Sequence, residues 1–422
     1  MRLVVGATGF AGTLLLTQVG SLGGPTADSG APVVAEVMPD YSYLTGEVSR
    51  AAPGRGIALY QQGYGVEVMD FPQAVLLGAD GASTRRVDYA EGRGGPQMQG
   101  DPAPMLLSPE GRRVAVGAFD TSPTELGVVN LEDGSVRTHD LGGDRSVQPL
   151  AWSIDGRYLA LAATAETYRP YGELNPRRFR GEAWLLDTES GARRSLGDAE
   201  ASAAAFSTSG NELALDHGGE VTIVNLRGEE LRTIEISAGL ALNGPNAWSP
   251  DDALLAMTDL STAHCQAAVD AAETYDDATW TECVRDIEGI SFVAAQGDAS
   301  TAVPTPIRRA TAGEGLVLGW RGDRDVVVLD NSDRDVDGAQ YYLRSVSLSD
   351  GKSESLSQIT GAGNFEVGSF QMASALAPDL EVVPAGPVDR GPWPWTPAIA
   401  VSLTAALIAG VALRLGRRSL PL

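Results

Sequence analysis

The sequence predicts an all-β fold, a six-bladed or, as the alternative, a seven-bladed β-propeller, from a repeated turn, its spacing and a second series of hairpins. In the repeat, an apolar residue and a Ser precede a turn, and an apolar run follows. Ser108, Ser153, Ser207 and Ser249 hold the same place in four copies, at steps of 45, 54 and 42 residues. Strand-turn-strand units of this period are typical of propeller blades.

The hairpin series supports the same architecture. Six Gly-containing turns separate β-prone segments, one in each proposed blade. They are Asp80-Gly81, Asp133-Gly134, Ser190-Gly191, Arg227-Gly228, Gln296-Gly297 and Asp350-Gly351. Further strands predicted within 363–383 would either complete the first blade or belong to a seventh. Completing the first blade would close the ring and remove exposed strand edges.

The propeller is predicted to occupy residues 55–383, between segments of different composition. Residues 22–54 are predicted to be a linker, because they follow the N-terminal apolar segment and precede the first blade. The run 384–394 is rich in Pro and Gly and is predicted to be a stiff spacer.

Both ends of the chain predict a membrane location. Residues 395–413 contain no charged side chain and are long enough for a transmembrane helix. The basic tail 414–422 predicts a cytoplasmic C-terminus and an extracytoplasmic propeller. Residues 1–21 begin with Arg2 and continue as an uncharged apolar run, which is typical of a signal peptide or an uncleaved anchor helix.

Composition limits the partners. The chain of 422 residues carries a net charge of -24. This charge argues against nucleic acid, because phosphate binding needs a basic face. It favours a soluble, monomeric propeller domain. Lys352 is the single Lys, and with abundant Ala and Gly the composition resembles that of high-GC actinobacterial proteins.

The repeated turns, such as Trp248-Ser249-Pro250-Asp251, resemble those of bacterial TolB-like and WD-repeat-like propellers. The resemblance covers roughly residues 55–383 by repeat count. It implies the architecture and transfers no catalytic residue, because binding proteins, scaffolds and peptidase domains share it. The chain departs from the WD pattern in that no Trp-Asp dipeptide closes a blade.

Two cysteines lie in an acidic insertion of the fifth blade. In an oxidising compartment Cys265 and Cys283 are expected to form a disulfide. A zinc site with His264 is the alternative, although these three residues fall short of a tetrahedral ligand set. His139 and His217 are predicted to lie at turns or on the surface.

One acidic string suggests a metal site. Asp333, Asp335 and Asp337 alternate before a Gly, a pattern that can wrap calcium. Tyr341 and Arg344 stand where an EF-hand loop needs its last ligands, so an exposed hairpin tip is the stronger interpretation. No other cofactor is predicted.

The segment 168–180 is the candidate binding loop. It combines guanidinium groups with aromatic rings, a composition typical of contact surfaces. The residues concerned are Arg169, Tyr171, Arg177, Arg178, Phe179 and Arg180. A solvated loop whose Arg residues offset nearby carboxylates is the alternative.

These patterns predict a membrane-anchored, extracytoplasmic propeller that binds a protein or cell-envelope ligand without catalysing a reaction. The chain contains neither a His-Glu-x-x-His nor a Gly-x-Ser-x-Gly motif. Two alternatives stay open: a metal-dependent hydrolase or lyase that uses the central channel, and a cytoplasmic tail-anchored scaffold.

Overall fold

A computed structural model describes residues 30–39, 42–63, 73–121, 125–168, 179–237, 239–259, 289–297, 301–307, 316–330, 341–359 and 367–416. Six multi-stranded sheets follow one another along this part of the chain, and neighbouring strands within each sheet are mostly antiparallel. This is the strand order of a six-bladed β-propeller. We number the blades in chain order and count the strands of a blade outward from the central channel.

Blades 2, 3 and 4 are each built from four consecutive strands, whose inner members are the more buried. Blade 2 contains Met105–Leu107, Arg113–Val116, Glu125–Asn130 and Val136–Asp140. Blade 3 contains Ser146–Trp152, Tyr158–Thr164, Gly181–Asp187 and Arg193–Ala201. Blade 4 contains Ala203–Phe206, Glu212–Asp216, Glu220–Asn225 and Glu230–Glu235.

The other blades depart from four consecutive strands. Blade 1 contains Val367–Met372, Gly56–Gln62, Gln73–Gly78 and Thr84–Arg86. In the described part of blade 5 the strands are Leu240–Leu242, Leu254–Asp259 and Ile290–Ala294. Blade 6 contains Gly319–Arg321, Asp325–Asp330, Tyr341–Ser347, Ser353–Ile359 and the added Val37–Met38. The short helix α1, Asp88–Glu91, and the 3-10 turns Pro96–Met98 and Ser374–Asp379 lie between strands.

Ring closure decides between six and seven blades. Val367–Met372 pairs antiparallel with Gly56–Gln62, with Phe370 opposite Tyr60, and so supplies the inner strand of blade 1. The two aromatic rings stack with their centroids 5.7 Å apart. Of the two sequence-based expectations for 363–383, completion of the first blade is therefore the one observed. The last strand joins the first blade, which leaves no free edge at the seam.

Chain segments outside the blades also pack against the ring. Within the predicted linker 22–54, Val33–Ala35 pairs in parallel with Glu381–Val383, and Val37–Met38 extends blade 6. Within the predicted spacer 384–394, Asp389 forms an ion pair of 3.0 Å with the buried Arg85 of blade 1. Short strands of this kind are set by pairing with distant residues, a property that local composition does not show.

The repeated Ser has the same role in all four copies. Each Ser ends or follows an inner strand, is nearly inaccessible to solvent and accepts a backbone N–H across the turn. In blade 5 the Leu254 N–H donates to Ser249 Oγ over 2.9 Å, and Ser249 Oγ donates to Asp251 over 2.6 Å. The prediction that these residues form turns is confirmed by this geometry. We call the end of the propeller that carries them the turn face.

Three tryptophans on or just after inner strands join neighbouring blades. The indole N–H of Trp152 donates to the Leu106 carbonyl of blade 2 (3.2 Å), and that of Trp248 donates to the Ala205 carbonyl of blade 4 (2.9 Å). Trp320 donates to the Asn246 carbonyl in blade 5 over 3.0 Å. Each indole therefore buries its ring between blades while its polar N–H is satisfied.

The C-terminal helix α2 spans Trp395–Gly416. Among its described side chains, Leu403, Leu407 and Ile408 are 57%, 70% and 64% exposed. Across the described residues, no helix combines the length and apolar character that crossing a membrane requires. The predicted transmembrane span at 395–413 is therefore not confirmed. The predicted N-terminal segment 1–21 lies outside the described residues.

Candidate functional site

The end of the propeller opposite the turn face, here called the loop face, carries the longest connections. At this end the second strand of each blade finishes and the third begins. Phe119, just beyond the second strand of blade 2, accepts hydrogen bonds at its carbonyl from Ser146 Oγ (2.5 Å) and the Tyr168 N–H (3.2 Å). Residues from two second-to-third connections and from the start of an inner strand therefore meet at this face.

Most of the predicted site residues lie outside the described residues. They are Arg169, Tyr171, Arg177 and Arg178 of the candidate binding loop, the cysteines Cys265 and Cys283, and the acidic residues Asp333, Asp335 and Asp337. The disulfide and the calcium site therefore stay predictions.

The described strands that flank these three segments all end at the loop face. In blade 3 the flanking residues are Thr164 and Gly181, and in blade 6 they are Asp330 and Tyr341. In blade 5 the strands Leu254–Asp259 and Ile290–Ala294 flank the cysteine-bearing segment. The strands that flank the three segments thus all end on one side of the ring, an arrangement that local sequence patterns do not predict.

Phe179 is a core residue, which corrects its assignment to a contact surface. It is 3% exposed and stacks on Phe119 with the ring centroids 5.6 Å apart. Tyr168 closes the trio, with its ring edge-on to both at 4.7 and 5.4 Å. Burying an aromatic ring of this size stabilises the fold, so the loop is tied to blade 2 at its base.

Arg180 remains exposed, but it already has a partner within the fold. Its Nη2 donates to the His217 carbonyl over 2.7 Å, which links blade 3 to the short turn after Glu212–Asp216 in blade 4. His217 in turn has its Nδ1 2.9 Å from the Glu200 carbonyl. The predicted surface position of His217 is consistent with this geometry, and Arg180 has a joining role at the edge of the loop face.

The central channel contains a mainly apolar cavity of about 370 Å³. Residues on or next to the inner strands of all six blades line it. They include Met105, Leu106, Leu150, Trp152, Ala203, Leu242, Val317, Leu318, Phe370 and Met372, together with the aromatic trio of the loop face. Its polar lining residues are Gln61, Gln148, Ser202, Asn246, Ser369, Gln371 and Ser374, together with the phenol-bearing Tyr168. None of the described lining residues carries an ionisable carboxyl, amino, guanidinium, imidazole or thiol group.

Two of the channel amides are engaged in holding the blades together. Gln371 accepts the Leu107 N–H (2.8 Å) and donates to the Met105 carbonyl (2.7 Å), which joins blade 1 to blade 2. Asn246 donates to the Leu318 carbonyl over 3.0 Å, which joins blade 5 to blade 6. The polar groups of the channel thus include structural bridges, and no catalytic pairing is formed among its described residues.

His139 is buried, which corrects its predicted turn or surface position. It lies within the outer strand Val136–Asp140 and is 7% exposed. Burial, with a smaller effect of the nearby Arg137, lowers the pKa of its imidazole. Within the described ranges, no three His, Cys, Asp or Glu side chains are grouped closely enough to hold a metal ion.

Comparisons with solved structures find two TolB structures and a hydrazine synthase among the matches. TolB from Acinetobacter baumannii is 13% identical, with a TM-score of 0.48 over 76% of this chain and 68% of that one. A putative TolB from Agrobacterium tumefaciens is 16% identical, with a TM-score of 0.37 over 61% of this chain and 80% of that one. Kuenenia stuttgartiensis hydrazine synthase is 15% identical, with a TM-score of 0.35 over 60% and 65%.

The likeness to TolB expected from the repeated turns is thus found again among solved structures. Because all three TM-scores are below 0.5, the propeller assignment rests on the order of the strands. No protein-family model matches the chain. No curated protein matches it by sequence.

The channel residues were not identified from the sequence, because they form no motif. Gln148, Ser202 and Ser369 lie far apart in the chain and meet only when the ring closes. A nearby Pro is the one local sequence signal that some of these positions show. Pro102, Pro104, Pro149 and Pro245 all line the channel near the inner strands, where Pro is tolerated because no neighbour needs its N–H.

Proposed function

We propose that the chain is a non-enzymatic binding module whose loop face docks a protein or a cell-envelope polymer. The observation that carries this proposal is the position of the three segments that interrupt the repeat, in blades 3, 5 and 6. Blades 3, 5 and 6 all release their long connections at the loop face, whereas the turn face carries short Ser and Gly turns. Binding residues concentrate on loops that a rigid scaffold holds in place.

The chemistry of the channel supports binding more than catalysis. Acid-base, nucleophilic and metal-assisted mechanisms all need ionisable or metal-ligating groups beside the substrate. The described channel lining offers amides, hydroxyls and apolar groups. Elemental analysis of the purified full chain tests the alternative of a metal-dependent hydrolase or lyase. A stoichiometric zinc or calcium ion whose removal abolishes turnover of a substrate would favour the enzyme.

The proposed location is the outer side of the cell membrane, with the C-terminal helix α2 as the attachment. The exposed Leu403, Leu407 and Ile408 support attachment through α2, because large apolar side chains left in water are unfavourable and gain about 25 cal/mol per Å² on burial. The charge pattern of the two chain ends supports the orientation.

Site-specific photo-crosslinking in cells tests the docking surface. A crosslinking amino acid replaces the exposed Glu166 or Thr167 on the loop face, and in matched controls the exposed Glu132 or Asp133 on the turn face. Ultraviolet light is expected to give a discrete adduct from the loop-face positions and none from the turn-face positions. Equal labelling from both faces, or adducts from the turn face alone, would contradict the proposed surface.

Membrane attachment has a separate test. Because residues 1–21 are themselves a predicted anchor, the test uses the purified chain without them. This chain is expected to float with lipid vesicles, whereas the same chain ending at Pro394 or carrying Leu403→Asp/Leu407→Asp is expected to stay in the soluble fraction. Thiol labelling under denaturing, non-reducing conditions then distinguishes the cytoplasmic scaffold. Unreactive cysteines indicate an oxidising compartment, and two free thiols indicate the cytoplasm.

A further inference from the structure

The geometry points to a second binding site in the central channel, for a small uncharged hydrophobic molecule. This function is separate from partner docking on the loop face. The cavity of about 370 Å³ is within the range of small-molecule sites, roughly 300–1,000 Å³. Its walls come from the rigid inner strands of six blades, so the site exists before a ligand arrives and little ordering cost accompanies binding.

The lining determines the charge of the ligand. Burying an ion without a partner costs several kcal/mol, at least on the order of the affinity of a small ligand. None of the described residues that line the cavity offers a compensating charge, although the whole chain carries -24. The surrounding protein charge also repels anions at the channel mouths. The ligand is therefore neutral.

The shape and flexibility of the lining side chains determine the apolar framework of the ligand. Phe119, Phe370 and Trp152 are among the residues that line the cavity, and Met105 and Met372 add flexible thioether chains. Aromatic rings favour stacked or edge-on contacts with another ring, and Met adapts to irregular apolar shapes. A fused-ring or alkyl-aromatic molecule fits this lining.

The cavity extends from one face of the ring toward the other. Near the loop face the half-buried Tyr168 lines it, and near the turn face Pro109 and Ser374 do so. Along its walls Gln61, Ser202 and Ser369 are only partly buried, which leaves room for solvent to be displaced. The release of water from apolar walls is the driving force for binding here.

A matched pair of dyes tests the inference with the full chain. Phenylnaphthylamine is neutral, whereas anilinonaphthalene sulfonate has nearly the same aromatic frame with one added negative charge. Fluorescence titration is expected to show saturable one-to-one binding of the neutral dye. The charged dye is expected to bind at least about tenfold more weakly, a difference of about 1.4 kcal/mol.

Blocking variants assign the dye to the channel. Ala203→Phe in blade 4 and Ser369→Phe in blade 1 each add a ring to the cavity wall from a different side. Ser195→Phe is the matched control, because Ser195 is exposed on the outer strand of blade 3. Both blocking variants are expected to weaken binding of the neutral dye at least about tenfold, and the control is expected to leave it unchanged.

Circular dichroism of each variant shows whether the blades remain folded. If one blocking variant unfolds, the other, on the opposite wall of the cavity, still tests the inference. The inference is overturned if the sulfonate binds as tightly as the neutral dye. It is also overturned if folded blocking variants retain binding, because the dye would then lie on the C-terminal helix or another surface. Neither outcome bears on crosslinking at the loop face.

Discussion

The buried hydroxyls of the repeat show how single residues define the blade turns. The same two hydrogen bonds form in every copy. The backbone N–H of the Ser donates to the carbonyl of the residue five positions later, and the N–H of that later residue donates to the Ser Oγ. The four residues are Ser108, Ser153, Ser207 and Ser249. The position three residues after the Ser has a positive φ in every copy, where Gly is favoured. In blade 5 Asp252 takes that position at a φ of 54°. Its carboxylate compensates by accepting the Thr208 N–H of blade 4 over 2.7 Å.

Replacing one such hydroxyl is expected to destabilise the whole protein. Ser249→Ala leaves the buried Leu254 N–H without its side-chain acceptor, at a cost of about 1–3 kcal/mol in the free energy of unfolding. It also removes the hydrogen bond that lowers the pKa of Asp251. Urea denaturation measures the change. The control is Ser135→Ala, whose exposed hydroxyl binds Asp133 at a hairpin tip and which is expected to change the value by less than about 0.5 kcal/mol.

Glu91 is expected to make stability depend on pH. Burial raises the pKa of its carboxyl to about 7, although Arg86 lies 3.1 Å away and opposes the rise. Between about pH 4.5 and pH 7 the unfolded chain loses this proton while the folded chain keeps it. The free energy of unfolding therefore falls as pH rises through this window, by about 2–3 kcal/mol.

Urea denaturation at several pH values measures this dependence. In Glu91→Gln the slope between pH 5 and pH 7 is expected to be flatter than in the unmodified protein, because the group no longer titrates. Glu189→Gln, at a side chain 63% exposed, is the control and is expected to keep the slope. An unchanged slope in Glu91→Gln would show that this carboxyl is ionised in the folded protein throughout the window.

At the scale of elements, the seams between blades depend on directed hydrogen bonds as well as apolar packing. Besides the three indoles, Arg side chains donate across the seams to backbone carbonyls. Arg113 donates to Gly156 (2.7 Å), Arg194 to Leu226 (2.8 Å) and Arg232 to Ala295 (2.8 Å). The planar guanidinium suits several fixed acceptors at once, whereas an ammonium is a strongly hydrated point charge. The preference for Arg over Lys in this chain therefore has a structural use.

Two Trp substitutions compare an indole that donates a hydrogen bond across a seam with a half-buried indole that lies beneath Arg145 and Arg193. Trp248→Phe removes the donor to the buried Ala205 carbonyl and is expected to cost about 1–3 kcal/mol beyond the loss of ring area. Trp184→Phe is the comparison, because no described residue accepts its buried indole N–H. Thermal unfolding is expected to show the larger decrease in Trp248→Phe. Equal decreases would mean that packing alone, without the hydrogen bond, holds the seam.

At the scale of the whole molecule, the ring is closed by residues that are distant in the chain. Val367–Met372 pairs with Gly56–Gln62, and Val33–Ala35 pairs with Glu381–Val383. Arg85 and Asp389 add an ion pair in which the Arg85 side chain is 6% exposed. Contacts of such sequence separation make folding slower but remove the open edges of a linear array of blades.

Truncations test this closure. A chain ending at Pro394 keeps all six blades and the Asp389 contact, and its Tm is expected to match that of the full chain. A chain ending at Ile359 lacks the inner strand of blade 1 and is expected to lose cooperative unfolding, because Tyr60 and its neighbours would be uncovered. Differential scanning calorimetry distinguishes the two. A cooperative transition in the shorter chain would show that the first blade is stable without its closing strand.

Local patterns determined the parts of this protein that depend on neighbouring residues. The Ser turns and the hairpins with Gly at positive φ follow from short-range chemistry, because a turn is specified by the few residues that form it. The number of blades depended on one long-range contact as well. Val367–Met372, within 363–383, pairs with Gly56–Gln62 across more than three hundred positions of the chain.

Only the tertiary structure decided which surfaces are available. Phe179 is of a residue type common at contact surfaces but lies in a buried aromatic trio, and the His139 side chain is buried on an outer strand. The uncharged channel and the shared side of the three long connections arise from the closed ring, which brings together residues that no motif links. By itself, the sequence determined the repeated unit, because turn and strand chemistry is local. The structure decided where function can lie, because burial and ring closure depend on every blade at once.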